Sequence, residues 1–155
     1  MPFKVGWLIP ARVVFVYSHG EITMDDYQYV TPIGAKYVDE GEAPVHTFTD
    51  SRDVKSMPRK VQEVIAMMRS MGSSSEKAGW IIHITPNSLH RFGGALVAQW
   101  FVKSGRFHAV TSPREGLMFL KERDSRLSDM DVDAVEAAYE AQRSAIRETS
   151  GTTLS

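Results

Sequence analysis

The chain has 155 residues, a formal net charge of -1 and 24% charged residues, a size suited to one core with an appendage. Lys and Arg are scattered rather than blocked, so no field favours nucleic acid or an anionic membrane surface. The absence of cysteine excludes disulfides, thiolate catalysis and Cys-based zinc sites.

The apolar runs fall far short of the roughly 20 residues of a membrane helix. The opening Met-Pro-Phe-Lys-Val-Gly-Trp carries neither the apolar segment nor the cleavage site of a signal peptide. A cytoplasmic protein with no membrane partner is expected.

Val5 to Ile9 and Arg12 to Tyr17 are β-prone runs separated by Pro10-Ala11, which predicts an opening hairpin. Thr23, three residues before Asp26, is a variant of the capping box. It opens a helix with Tyr27, Val30, Ile33, Tyr37 and Val38 at helical spacing. Pro32 and Gly34 predict a kink or split there, and Gly41 a stop.

Pro44 to Pro58 is the most informative stretch. It reads as a buried strand, Val45 to Thr49, stopping in a polar turn, Asp50-Ser51-Arg52-Asp53. A helix then opens near Pro58 with Val61, Val64, Ile65, Met68 and Met71 on one side. A strand ending in an Asp-rich loop before a helix is where open α/β sheets place ligands and regulatory groups.

Gly72 and Ser73-Ser74-Ser75 form a connection to Trp80–Ile84, a nearly continuous apolar strand of the kind central in its sheet. Thr85-Pro86-Asn87-Ser88 leads into a helix with Leu89, Phe92, Leu96, Val97, Trp100 and Phe101 on one stripe, ended by Gly105. Phe107 to Thr111 is the last strand. Ser112-Pro113-Arg114-Glu115 then combines a Ser cap, Pro at the first helical position and Glu at the third, with Leu117, Phe119 and Leu120 facing inward.

Strands alternating with helices imply crossover connections and a largely parallel sheet. Beyond the break at Asp124 to Ser128, Val132, Val135, Tyr139 and Ile146 form a narrow apolar stripe on a further helix. Glu136, Glu140, Arg143 and Arg147 lie on its opposite, solvated face. The tail from Thr149 is expected to be disordered.

These features, in this order, resemble the STAS-like family, relatives of the anti-sigma-factor antagonist SpoIIAA. The resemblance rests on the hairpin Val5 to Tyr17 with Gly20-Glu21-Ile22-Thr23, and on the strand Val45 to Asp50 followed by Val54. It rests further on Gly79-Trp80 to Ile84, and on Phe107 to Thr111 with Ser112 to Leu117 and Phe119-Leu120. It implies an α/β fold with a mixed, largely parallel sheet, an N-terminal hairpin and crossover helices. Residues 1–124 would form that domain. Residues 125–155 would be a helical extension with a disordered tail.

The resemblance further implies a non-enzymatic module of bacterial signal transduction with a protein partner and no cofactor. Family members that are phosphorylated carry Asp-Ser-Ser after the third strand. This chain has Pro58-Arg59-Lys60 there, so the acceptor serine is missing and Ser51 and Ser56 only lie nearby.

The candidate partner-facing residues are Asp50, Ser51, Arg52, Asp53, Ser56, Asn87, Ser88 and Arg91. Asp50, Arg52 and Asp53 suit acid/base work, but an Asx-type turn with a solvated ion pair accounts for them more simply. Asn87 and Ser88 with Arg91 form a helix start able to hold an anion, and capping explains the first two equally well. His46, His83 and His108, one per strand, invite comparison with a zinc site. Burial with hydrogen-bond partners is the simpler account, so no metal is expected.

Met57, Met67, Met68 and Met71 suit an adaptable surface or, more simply, the core. The alternative function is a small-ligand-binding protein or enzyme using the strand ends near Asp50, Thr85 and Thr111. The apolar stripe of the last helix needs a surface to bury it, either the chain's own flank or a second copy in a homodimer.

Overall fold

The computed structural model describes residues 2–60, 62, 63, 66, 76–85 and 106–152. β1 (Phe3–Ile9) and β2 (Val13–Glu21) form the expected antiparallel hairpin. In its turn Pro10 presets the first corner and Ala11 takes φ +64°, closed by Arg12 N–H donating to the Ile9 carbonyl at 3.0 Å. β3 (Val45–Ser56), β4 (Ala78–Ile84) and β5 (Phe107–Val110) add in parallel, giving the order β1-β2-β3-β4-β5. The sheet is therefore mixed and mostly parallel, with the hairpin at one side.

α1 (Met24–Glu40) opens on a reciprocal cap. Thr23 Oγ1 accepts from Asp26 N–H at 3.2 Å, and the Asp26 carboxylate accepts from Thr23 N–H at 2.8 Å. Of the kink or split expected at Pro32, the split does not occur, since α1 is one helix with Pro32 inside it. Gly41 ends it in extended rather than left-handed backbone. A Cβ there would stand 2.5 Å from Val45 Cγ2 and 2.9 Å from the Ala11 carbonyl oxygen, so close approach explains this glycine.

α1 lies over one face of the sheet, where Tyr27 meets Phe3 and Tyr37 meets Trp7 edge-on. The opposite face is covered by α2 (Pro113–Arg123) and α3 (Val132–Thr152). α2 begins as expected, with Ser112 Oγ accepting from Glu115 N–H at 3.2 Å and Pro113 in the first turn. Register places Val13, Phe15 and Tyr17 level with His46, Phe48 and Asp50, and Phe48 level with Ile82. That row, with Ile84 and Val110, packs beneath Leu117, Leu120, Leu127, Val132 and Tyr139 in one core cluster. α2 sits so close that a Cβ on Gly116 would stand 2.6 Å from Phe48 Cζ and 2.7 Å from Ile82 Cγ2.

Further expectations change, and the α3 stripe takes one of its two expected covers, the chain's own flank. β3 does not stop at Thr49: Asp50, Ser51, Arg52 and Asp53 lie inside a strand that continues to Ser56. The reason is long-range pairing, since β2 also runs on to Glu21 and supplies partners as far as Ser56. The apolar stripe of α3 is buried against the chain's own sheet, with Tyr139 at 2% and Val132 at 7% exposure. Its other face is not simply solvated, because Glu140 and Arg143 turn back onto β3.

α3 also runs on through Thr149 to Thr152, where a disordered tail was expected. Residues 62, 63 and 66 are helical, but Val61, Val64, Ile65, Met67, Met68 and Met71 lie outside the described residues. So does the helix expected from Ser88.

Candidate functional site

The acidic segment of β3 is the first candidate site. Strict alternation would send Asp50 and Asp53 to opposite faces. They share a face because Tyr17 pairs with Asp50 and His19 with Asp53, so three residues of β3 oppose two of β2 in a bulge. Both carboxylates consequently meet α3.

Asp50 is 1% exposed. It accepts from Arg52 Nε at 3.0 Å, Arg52 Nη2 at 2.7 Å, the Arg52 backbone N–H at 3.1 Å and the Tyr139 hydroxyl at 2.8 Å. Arg52 Nη2 also donates to Glu140 at 2.8 Å. Asp53 accepts from Arg143 Nε at 2.8 Å, Arg143 Nη2 at 2.9 Å and the Tyr17 hydroxyl at 2.7 Å. Arg143 closes the chain of contacts by donating to Glu140 at 3.2 Å.

Burial alone would raise the Asp53 carboxyl, but the hydrogen bonds from Arg143 and Tyr17 hold it below the ordinary carboxylate range. Burial, then the Asp50 charge and hydrogen bond, push the Tyr139 hydroxyl far up. The result is a staple of paired charges between strand and helix. The Asx-type bond from Asp50 to Arg52 N–H is present, while the pair it belongs to is buried under α3 rather than solvated.

Ser51 points to the other face with Thr49 and His83. Thr49 Oγ1 donates to the Ile82 carbonyl at 3.2 Å and lies 3.0 Å from His83 Nδ1, and His83 Nε2 lies 3.1 Å from Ser51 Oγ. A serine beside an imidazole is the minimum of a nucleophile–base pair, but the group orienting this ring is a hydroxyl and Ser51 is 9% exposed. Ser56 ends β3 at the surface, and Met57 follows it, 43% exposed. Thr85 is fully buried, while Thr111 is exposed and donates to Glu115. The register sets Thr85 and Thr111 side by side, one residue beyond the row of Asp50, whose carboxylate is turned to α3, so Asp50 does not join them. Asn87, Ser88 and Arg91 lie outside the described residues.

The three strand histidines go to different neighbourhoods, because the register pairs His83 with Thr49 and Ala109 but His108 with Ile82. His108 stacks on Phe119, ring centroids 3.9 Å apart. His46, 2% exposed, accepts from Trp80 N–H through Nδ1 at 2.9 Å. The proton of the neutral ring therefore sits on Nε2 and is donated to Asp124 at 2.8 Å. Among the described residues no group of three His, Asp or Glu side chains is placed to hold a metal ion.

Asp124 in turn accepts from Arg126 Nε at 2.9 Å. The Arg126 guanidinium then donates to the carbonyls of Glu42 and Ala43 at 3.1 Å and of Pro44 at 2.6 Å. The hydrogen bonds from Arg126 hold the Asp124 carboxyl well below its usual range, against burial and with help from His46. Burial pushes His46 down, opposed by its bond to Asp124. This lock ties the end of α2 to the start of β3. No local pattern in the sequence marks this lock, or the parts of Tyr17, Tyr139, Glu140 and Arg143 in the acidic staple. The only local signal was Gly79, where a Cβ would stand 2.5 Å from His46 Nδ1.

No family model matches the chain, and no curated protein matches it. Among solved structures it is similar to an uncharacterized protein of the DUF3478 family with a SpoIIAA-like fold from Shewanella loihica PV-4. That similarity has a TM-score of 0.55 and 15% identity, over 76% of this chain and 91% of the other. The unphosphorylated anti-sigma factor antagonist SpoIIAA aligns with a TM-score of 0.49 and 8% identity, over 77% of this chain and 96% of that one. The fold is SpoIIAA-like, as the sequence resemblance implied.

Proposed function

We propose that this SpoIIAA-like chain is a non-enzymatic regulatory module that works by binding a protein partner in bacterial signal transduction, in the cytoplasm. The observation that carries this reading is the state of the β3 acids. Asp50 and Asp53 are held in bidentate pairs with Arg52 and Arg143 and capped by Tyr139 and Tyr17. A general base needs a lone pair free to take its substrate's proton, and these carboxylates have spent theirs on the fold. Supporting it further, no described helix is long and apolar enough to cross a membrane.

In this reading residues 1–124 are the module and residues 125–155 an extension docked on it. Ser51 is buried and hydrogen-bonded, which disfavours it as a phosphoacceptor, and Ser56 stands at an exposed strand end without the family's Asp-Ser-Ser context. The homodimer expected from the α3 stripe needs a different surface, because the same chain already covers that stripe.

The test is affinity capture from the native host followed by reconstitution with the purified partner. A stoichiometric binary complex, formed by protein whose intact mass shows no phosphate, is expected. A captured protein that fails to rebind when purified, together with a hydrolytic turnover abolished by Ser51→Ala, refutes the proposal in favour of an enzyme built on the Ser51–His83 pair.

A further inference from the structure

A cleft of about 410 Å³ opens at the amino-terminal ends of β3, β4 and β5, lined in part by His46, Trp80, Arg106, Arg123, Asp124 and Ser125. This is the end of the sheet opposite to Asp50, Thr85 and Thr111, and none of the acidic staple takes part. Its volume lies in the range of pockets that hold small molecules.

Among the described residues the charges around the cleft do not balance. The one carboxylate among the described lining residues, Asp124, is turned inward and saturated by His46 and Arg126. The imidazole of His46 is neutral, with Nδ1 occupied by Trp80 N–H. Arg106 is exposed and has no carboxylate partner among the described residues.

Arg123 is held rather than paired. Its guanidinium lies 3.6 Å from the centroid of the Phe119 ring and 5.8 Å from that of Trp80. His108 stacks on Phe119 at 3.9 Å, and two groups this close to one centroid must take opposite faces of the ring. Among the described residues the carboxylate paired with Arg123 is the adjacent Glu122, 3.6 Å away on a side chain that is 71% exposed. Arg123 Nη1 also donates to the Phe119 carbonyl at 3.3 Å, which fixes the group further; stacking on an aromatic face leaves the remaining in-plane N–H donors of a guanidinium for a carboxylate or phosphate.

Two cations thus border a concavity with a half-buried tryptophan in its wall: Arg106, without a carboxylate partner among the described residues, and Arg123, preset in orientation and paired only with the exposed Glu122 among them. We propose that this cleft binds a small organic anion, its carboxylate or phosphate group between Arg106 and Arg123 and its apolar body against Trp80. Such a ligand would give the regulatory module a small-molecule input distinct from its protein partner. The inference does not depend on that partner, since it stands on the cleft alone.

The experiment is an amide and indole NMR titration of the full chain with phenyl phosphate, benzoate, inorganic phosphate and benzyl alcohol. Saturable shifts at the Trp80 indole and the amides around His46 and Arg106 are expected with phenyl phosphate or benzoate. The tighter of the two identifies the head group. Arg106→Gln removes an exposed charge with no carboxylate partner among the described residues, so the fold should persist while affinity falls about tenfold, the scale of one charge-assisted contact. Arg123→Gln should weaken binding similarly.

Shifts absent with both anions overturn the proposal, as does undiminished binding by a folded Arg106→Gln variant. Benzyl alcohol binding as tightly as the anions removes the need for the arginines. Inorganic phosphate binding as tightly as phenyl phosphate removes the apolar half of the site.

Discussion

Tyr139→Phe removes one hydroxyl and leaves the rest of the α3 contact in place. The ring keeps its edge-on packing against Phe15, centroids 5.5 Å apart, so no cavity forms. What is lost is a bond of 2.8 Å donated to a carboxylate that is 1% exposed. A hydrogen bond to a charged group contributes about 1.5–3 kcal/mol. Asp50 keeps three bonds from Arg52, so its charge is not stranded and the lower half of that range applies.

The expected loss is about 2 kcal/mol, or roughly 4–8 °C in Tm for a chain of this length. Urea unfolding should show a lower midpoint at unchanged slope. Glu140→Gln is the control: its side chain is 35% exposed, and solvent screening keeps its loss under about 1 kcal/mol. If Tyr139→Phe stays within about 0.5 kcal/mol of the parent, α3 is not anchored through Asp50 and the staple is wrongly drawn.

Other substitutions probe the remaining packing and the His46 lock. Because burial lowers the folded-state value of His46, its neutral form contributes stability that is complete above the ordinary histidine value of about 6.5 and is lost as pH falls through the lowered one. His46→Gln should therefore be less stable at neutral pH yet lose less stability between about pH 7 and pH 5, and a parallel slope in urea midpoints would contradict the assignment. Gly116→Ala should gain about 1 kcal/mol of helix propensity and lose about 1–3 to overpacking against Phe48 and Ile82; a net stabilisation would show that α2 sits farther from the sheet. A chain ending at Asp124 should have a much lower urea midpoint and self-associate in light scattering, because Phe15, Tyr17 and Asp50 lose their cover. A truncated monomer as stable as the full chain would make α3 dispensable.

What sequence showed and what it concealed divide along the range of the interactions. The hairpin turn, the Thr23 and Ser112 caps and the apolar rows of β4 and α2 are set by neighbours within a few residues, and all are found where expected. The polar half of β3 is different. Asp50-Ser51-Arg52-Asp53 has turn composition, and only pairing with β2 and the arrival of α3 from 80 to 90 residues away make it strand. Helical periodicity marked Glu140 and Arg143 as the polar face of α3 but does not distinguish a face in water from one paired with buried acids. His46, His83 and His108 were one per strand, yet their partners depended on a register that no local pattern contains.

The bulge in β3 decides which kind of site the acids form. Without it Asp53 would fall on the α1 side with Thr49 and Ser51, leaving Arg143 unpaired beneath α3 and a carboxylate near the Ser51–His83 pair. A serine, an imidazole and an acid on one face are the components of a nucleophilic triad. With three residues of β3 set against two of β2, the acid is carried to the opposite face, where Tyr17 and Arg143 claim it. The single extra residue thus separates hydroxyl and imidazole from carboxylate across the thickness of the sheet, turning a chemically suggestive sequence into a staple for α3.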